Sequence, residues 1–165
     1  MGYWEATGKT DEWYTPKYVF DALDCTFDLD VAHPTHATFV PADMVLTERG
    51  LERDWTGFVW MNPPFGGRNG IVPWLEKFFD HGNGIALVPD RTSAPWFQKF
   101  APMADAILFM SPKIKFIRAD GKEGASPSTG TALFAKGERA LAAFANARSL
   151  GFCCTAVRDG SDEHT

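Results

Sequence analysis

The chain has no apolar run close to the ~20 residues that a bilayer-spanning helix needs, so no membrane-spanning segment is expected. Cysteine is scarce, with three residues of which Cys153 and Cys154 are adjacent. An odd count without a Cys-x-x-Cys spacing yields neither a disulfide framework nor a zinc ribbon, and it fits reduced thiols in a cytoplasm. Histidine is limited to four residues. His33 and His36 lie near each other but no ligand set accompanies them, so no metal is expected. Positive charge is in deficit, 16 Lys and Arg against 21 Asp and Glu, for a net charge of −5. That counts against a whole-surface electrostatic grip on nucleic acid, although local distribution decides the matter. Repeats, low-complexity tracts and internal linkers are missing as well. Residues 1–165 are therefore expected to form one domain with polar, loose ends at 1–11 and 159–165. The start, Met1-Gly2-Tyr3-Trp4-Glu5, lacks a basic region followed by an apolar one, so no signal peptide is expected.

Apolar and aromatic side chains are plentiful, at 45% and 14% of the chain, enough to bury a substantial core. Strand-like and helix-like stretches alternate. Thr15-Pro16 reads as a hydroxyl cap and first-turn proline opening a helix through Leu23. Thr26 to Ala32 alternates as a strand does, and Val59 to Asn62 reads as a buried strand. Gly70 to Asp80 predicts a helix with Trp74, Leu75, Phe78 and Phe79 on its apolar side. Gly84 to Pro89 and Ala106 to Met110 predict strands, with a helix between them capped by Ser93 and ending near Phe100. Lys113 to Arg118 and Thr129 to Ala135 read as two antiparallel strands joined by a Gly-, Ser- and charge-rich connection. Glu138 to Ser149 predicts a helix, and Phe152 to Val157 an edge strand. The alternation predicts an α/β fold, a mostly parallel sheet covered on both faces with an antiparallel hairpin near the C-terminus. Ligands of such sheets sit beyond the carboxyl ends of the strands.

The most telling segment is Phe58-Val59-Trp60-Met61-Asn62-Pro63-Pro64-Phe65. The apolar run ends in two prolines, which cannot donate to a sheet ladder. An amide side chain, free carbonyls and an aromatic ring are left at the strand's exit. Those are hydrogen-bond acceptors beside a stacking surface, suited to a flat molecule bearing an amino group. An exocyclic amine on a purine is a poor nucleophile because its lone pair is delocalised into the ring. Bonds to the Asn62 side-chain oxygen and the Pro63 carbonyl would favour a pyramidal nitrogen with its lone pair out of the ring plane. Phe65 would hold the base by stacking, by analogy about 1–3 kcal/mol. Taken alone, the segment also reads as an ordinary loop after a strand.

Other pieces fall on the same rim. Asp11-Glu12-Trp13-Tyr14-Thr15-Pro16 precedes the first helix. Phe27-Asp28-Leu29-Asp30-Val31-Ala32 places Asp30 at a strand exit, where it can hold an ammonium or a ribose. Arg53-Asp54-Trp55 precedes the motif strand, with Asp54 as an acceptor for an adenine amino group and Trp55 as a packing surface. Lys113, Lys115, Arg118 and Lys122 make a local basic cluster, and Arg68 follows the motif directly. Each of these also has a plain reading, as a capped helix, a loop acid or a solvated charged face.

In this order and spacing the segments resemble the small phage-type DNA adenine-N6 methyltransferases, the Dam-like family. The resemblance runs from Asp11 to about residue 137. It includes Gly50-Leu51-x-x-Asp54-Trp55, Asn62-Pro63-Pro64-Phe65-Gly66, Leu87-Val88-Pro89-x-Arg91-Thr92 with Trp96-Phe97, Lys115-Phe116-Ile117, and Gly130-Thr131-Ala132-Leu133-Phe134. It implies a Rossmann-like methyltransferase fold, S-adenosylmethionine as methyl donor and adenine in DNA as acceptor. It also implies that Asn62, Pro63, Pro64 and Phe65 form the catalytic loop, with Phe where many relatives have Tyr. Trp13, Thr15, Pro16, Asp30, Ala32, Asp54 and Trp55 fall on the donor-binding segments. The glycine-rich turn after the first strand is replaced by Ala32-His33-Pro34. The chain has little room for a separate target-recognition domain, so DNA contacts are expected from Arg68, Arg91, Lys113, Lys115 and Arg118, arginine to guanine being the commonest specific contact. The segment of Arg91, Thr92 and Trp96 is expected to serve as a pocket wall or in a conformational role. Competing readings are a methyltransferase acting on RNA or protein amide and amino groups, and a non-catalytic DNA-binding subunit of methyltransferase form.

Overall fold

A computed structural model of the protein describes residues 13–64, 70–118, 120–124 and 129–157. In chain order the elements are β1 (Trp13–Tyr14), α1 (Lys17–Leu23), β2 (Phe27–Asp30), β3 (Ala42–Val45), β4 (Val59–Met61), α2 (Val72–His81), β5 (Gly84–Pro89), α3 (Pro95–Phe100), β6 (Ala106–Met110), β7 (Ile117–Arg118), β8 (Thr131–Lys136), α4 (Glu138–Asn146) and β9 (Gly151–Cys154). One sheet of seven strands runs β3-β2-β4-β5-β8-β6-β9, and a separate two-stranded ladder joins β1 to β7.

The strands are buried on alternating faces, as their side-chain period of two requires. On one face Phe27, Trp60, Ile85, Leu87, Leu108 and Leu133 pack with Val19, Phe20 and Leu23 of α1 and with Ala140, Ala143 and Phe144 of α4. On the other, Leu29, Val59, Met61, Ala86, Val88 and Phe134 pack with Leu75, Phe78 and Phe79 of α2 and with Trp96, Phe97 and Phe100 of α3. Helix–sheet–helix layering of this kind makes a mixed α/β fold.

The expected mostly parallel sheet is corrected. Pairs β3–β2, β2–β4 and β4–β5 are parallel. Pairs β5–β8, β8–β6 and β6–β9 are antiparallel, and so is β1–β7, which makes four antiparallel pairs against three. The reason is the position of β8. Its residues Thr131 to Ala135 are all buried, so it needs cover on both faces and neighbours on both edges. It inserts between β5 and β6, turning one expected parallel contact into two antiparallel ones.

The same insertion corrects the expected hairpin of 113–118 with 129–135. β7 is two residues long and half polar, and it pairs instead with β1, Tyr14 opposite Ile117. Strand β3 was not expected. Its pattern, Ala-Asp-Met-Val, carries neither apolar alternation nor an apolar run, because as the edge strand it is largely exposed. Thr15 does not cap α1. Pro16 occupies the cap position in extended conformation with no side-chain bond, which leaves the Thr15 hydroxyl for another use. Ser93 likewise does not cap α3, whose cap residue is Ala94. No helix among the described residues is long and apolar enough to cross a membrane.

Candidate functional site

Strands β2, β4 and β5 end on one edge of the sheet, and β8, running the other way, begins there. A cavity of about 600 Å³ lies over that edge, within the size range of small-molecule sites. Its wall takes Asp30 to Pro34 from the exit of β2, Leu46 to Glu52 from the segment after β3, and Asn62, Pro63 and Pro64 from the exit of β4. Leu87 and Val88 of β5 and Thr131 of β8 continue it, and Tyr14, Thr15 and Phe116 close it from the β1–β7 ladder. Trp74 of α2 completes the side near β2.

The turn after β2 is built around a carboxylate. Asp30 is 2% exposed. Its Oδ1 accepts from the Ala32 backbone N–H at 3.2 Å, and its Oδ2 lies 2.7 Å from His33 Nδ1. The His33 backbone donates to Leu46 O, and the Leu46 backbone donates back to Asp30 O. Side-chain and cross-strand bonds thus hold the Ala32-His33-Pro34 turn in the place of a glycine-rich one. Glycine is needed elsewhere: a Cβ on Gly50 would meet the Val31 carbonyl oxygen at 2.2 Å and Trp74 at 2.9 Å. The 46–52 segment can therefore press against the exit of β2 only because residue 50 has no side chain.

At the exit of β4 the Asn62 amide nitrogen donates to the Thr15 hydroxyl at 3.5 Å, the long end of hydrogen bonding. Thr15 is 3% exposed. No described residue donates to the Asn62 side-chain oxygen. Pro63 and Pro64 add backbone carbonyls with no N–H to compete.

Of the residues singled out in the sequence, Thr15, Asp30, Ala32, Asn62, Pro63 and Pro64 are brought together on this wall. Pro16 is buried immediately beside them. Phe65 and Arg68 lie outside the described residues, as do 1–12 and 158–165, and Trp13 is described only as part of β1 and not by its side chain. Asp54 and Trp55 are not brought to the wall. Trp55 is buried beside α2: its indole N–H donates to Gly50 O at 2.8 Å, its ring lies 6.4 Å from Trp74, and the Lys77 ammonium sits 5.1 Å above it. Held that way, it leaves Asp54 exposed on the outer side of the loop.

Arg91 is exposed just past β5, and Trp96 is a core residue against Phe97. Lys113, Lys115 and Arg118 are exposed, whereas Ile114 and Phe116 between them are buried. Phe116 reaches the cavity wall, so the basic run is anchored at the rim. Sequence reasoning missed Tyr14, Leu46, Glu48, Arg49, Glu52 and Trp74. Most of these sit in irregular chain with no periodicity to mark them. Thr131 falls in a predicted strand and in a segment of the family resemblance, with no site role expected of it. It is 4% exposed, and its hydroxyl is buried with no hydrogen-bond partner among the described residues.

A family model described as DNA N-6-adenine-methyltransferase (Dam) matches residues 5–140. Neither a curated protein nor a solved structure matches the chain.

Proposed function

The chain belongs to the DNA N-6-adenine-methyltransferase (Dam) family, and from that premise we propose that it transfers a methyl group from S-adenosylmethionine to the exocyclic N6 of adenine in DNA, on a Rossmann-like frame. The observation that carries the reading is the meeting of Asn62, Pro63 and Pro64 with Thr15 and Asp30 on one cavity wall.

The wall near β2 suits the donor. Asp30, Glu48 and Glu52 give an acidic side for a molecule with an ammonium and a sulfonium, and acids also accept from a ribose diol. Leu46, Leu51 and Trp74 give an apolar side for its adenine ring. The retained donor-binding assignments are therefore Thr15, Pro16, Asp30 and Ala32, with Glu48 and Glu52 taking the place first given to Asp54. When bound, S-adenosylmethionine supplies an electrophilic methyl on a positively charged sulfur.

The chain's own residues do the rest. Asn62 Oδ1 and the Pro63 carbonyl accept the two N–H bonds of the flipped adenine, which draws its nitrogen out of conjugation. Thr15 holds the Asn62 amide by its nitrogen and so keeps the oxygen available. The fixed φ of proline aims the carbonyl before the base arrives, a gain in pre-organisation. Flipping costs a few kcal/mol. Those two bonds and stacking, with Phe65 as the assigned ring and Tyr14 and Phe116 on the described wall, offset it. No side-chain nucleophile is required, because the amine itself attacks and its proton leaves to water after transfer.

The test is transfer of a labelled methyl group to DNA, RNA and protein in parallel, followed by sequencing of methylated bases in the DNA. Label confined to adenine in DNA supports the reading. Label in RNA or protein alone overturns the acceptor, and donor binding without transfer to any acceptor favours a non-catalytic subunit.

A further inference from the structure

Thr131 opens β8 at the cavity edge, opposite Pro89 at the end of β5. Its side chain is buried, lines the cavity, and keeps a hydroxyl that has no partner among the described residues. Buried polar atoms in folded proteins are nearly always bonded, and an exception inside a binding cavity calls for a partner that arrives from outside. A hydroxyl can donate once and accept twice, and it turns freely to meet what is there.

The sheet order says which ligand that is. The donor side of the wall is the exit of β2, the amine-facing loop is the exit of β4, and β5 and then β8 follow on the far side. Two strand spacings, roughly 10 Å, separate β4 from β8. A purine that gives its amino group to Asn62 and carries an acceptor on its ring covers that interval once side-chain reach is added. Thr131 therefore stands on the acceptor side, with the amine loop between it and the donor. Resting on the proposed function, we infer that the Thr131 hydroxyl donates a hydrogen bond to a ring nitrogen of the flipped adenine and is a specificity-determining contact for the base.

The antiparallel run of β8 makes this possible, since a parallel strand in that slot would place its first residue at the opposite edge of the sheet. Gly130 fixes the approach: a Cβ there would meet Asp90 Oδ2 at 2.3 Å, and the Asp90 backbone donates to Gly130 O at 3.1 Å.

The experiment compares the wild-type chain with Thr131→Val and Thr131→Ser. Its substrate is a DNA duplex built on the site that sequencing of methylated DNA identifies, with the target adenine kept or replaced by 1-deaza-, 3-deaza- or 7-deazaadenine. Thr131→Val should lower kcat/KM on adenine by about tenfold, and Thr131→Ser should restore most of it. Donor affinity by calorimetry should be unchanged in both. One of the three deaza bases should cost the wild type a similar factor and cost Thr131→Val nothing further. Because valine removes a buried hydroxyl that no described residue satisfies, Thr131→Val should also raise the Tm of the free protein, by about 2–4 °C. Unchanged kcat/KM in Thr131→Val, a loss of donor affinity instead, or equal responses of both proteins to all three deaza bases overturns the inference while the methyltransferase reading stands. Absence of transfer to DNA by the wild type overturns both.

Discussion

In the proposed chemistry Asn62 holds the reacting amine of the adenine and Asp30 serves the donor side, and the two can be separated by mutation. Asn62→Ala removes one of two acceptors for the developing pyramidal nitrogen, an interaction made mainly in the transition state. It should lower turnover by about 100-fold or more. Donor affinity, read by calorimetry, should stay within about twofold, because the β2 exit is untouched. Wild-type rates in that variant would remove Asn62 from its role. Asp30→Asn is close in size but removes the carboxylate from the cavity wall and from its contact with His33. Donor binding should weaken by about tenfold, which is ~1.4 kcal/mol. Asp54→Ala serves as the comparison. The residue is exposed and off the wall, so donor affinity should hardly change. A tenfold loss there would mean that the loop before β4 swings inward on binding. Asp54 shows where sequence reading stops at this scale. The pattern Arg-Asp-Trp gave an acid next to an aromatic ring, but which side of the loop each faced depended on Trp55 packing on Trp74 and under Lys77, contacts about 20 residues away along the chain.

Elements were legible where burial gave them a period. β5 and β6 have the bounds expected from their apolar runs, and α2 lies within two residues of its expected limits. What the residues alone did not reveal was order and direction in the sheet. β8 is apolar from Ala132 to Ala135, and an apolar run says that a strand is central without saying which way it points. β3 was invisible because an exposed edge strand lacks the apolar signature. Two contacts between elements carry predictions. The first joins β2 to α4. The Phe58 backbone N–H donates to Asp28 Oδ2 at 2.7 Å, and Arg139 Nη1 lies 3.0 Å from the same oxygen. Chiefly that backbone bond, and then Arg139, hold the Asp28 carboxyl below its ordinary value. Its stabilising effect is therefore complete above the unfolded value near ~4 and is lost as pH falls through the lower native one. With the side chain 43% exposed, screening leaves a small effect. Asp28→Asn should cost about 0.5–1 kcal/mol at pH 7, and urea curves of the two proteins should converge toward pH 3. Divergence at acid pH would reverse the sign and sink the account. The second contact is the approach of the 46–52 segment to β2. Gly50→Ala would drive a methyl into the Val31 carbonyl. It should destabilise the fold by about 1–3 kcal/mol and weaken donor binding, both measurable on one purified variant.

At the scale of the whole molecule, the proposed function requires a chain of net charge −5 to engage a polyanion through a local surface. The stretch 113–118 is the candidate for one. Ile114 and Phe116 are buried while Lys113, Lys115 and Arg118 between and beyond them are exposed, so a single stretch is pinned to the cavity by its apolar positions and presents cations by its polar ones. Phe116 is in the cavity wall, so those cations stand at the rim beside the proposed base pocket. Arg118 lies 3.9 Å from Asp120, an exposed pair that a phosphate can displace at little cost. Each phosphate neutralised releases counterions, and the logarithm of affinity falls with the logarithm of salt by about 0.9 per contact. Replacing Lys113, Lys115 and Arg118 together by Gln should weaken DNA binding at low salt and flatten the slope by about 2–3 units, with donor affinity unaffected. The Arg91→Gln variant, from the exposed turn past β5 on the same edge of the sheet, should remove about one unit if that side also meets the backbone. An unchanged slope in the triple variant would place the DNA on another face, while the amine chemistry of the cavity would stand. A slope that falls without loss of transfer at low salt would show that these cations position the duplex and that discrimination between sequences belongs to contacts nearer the base.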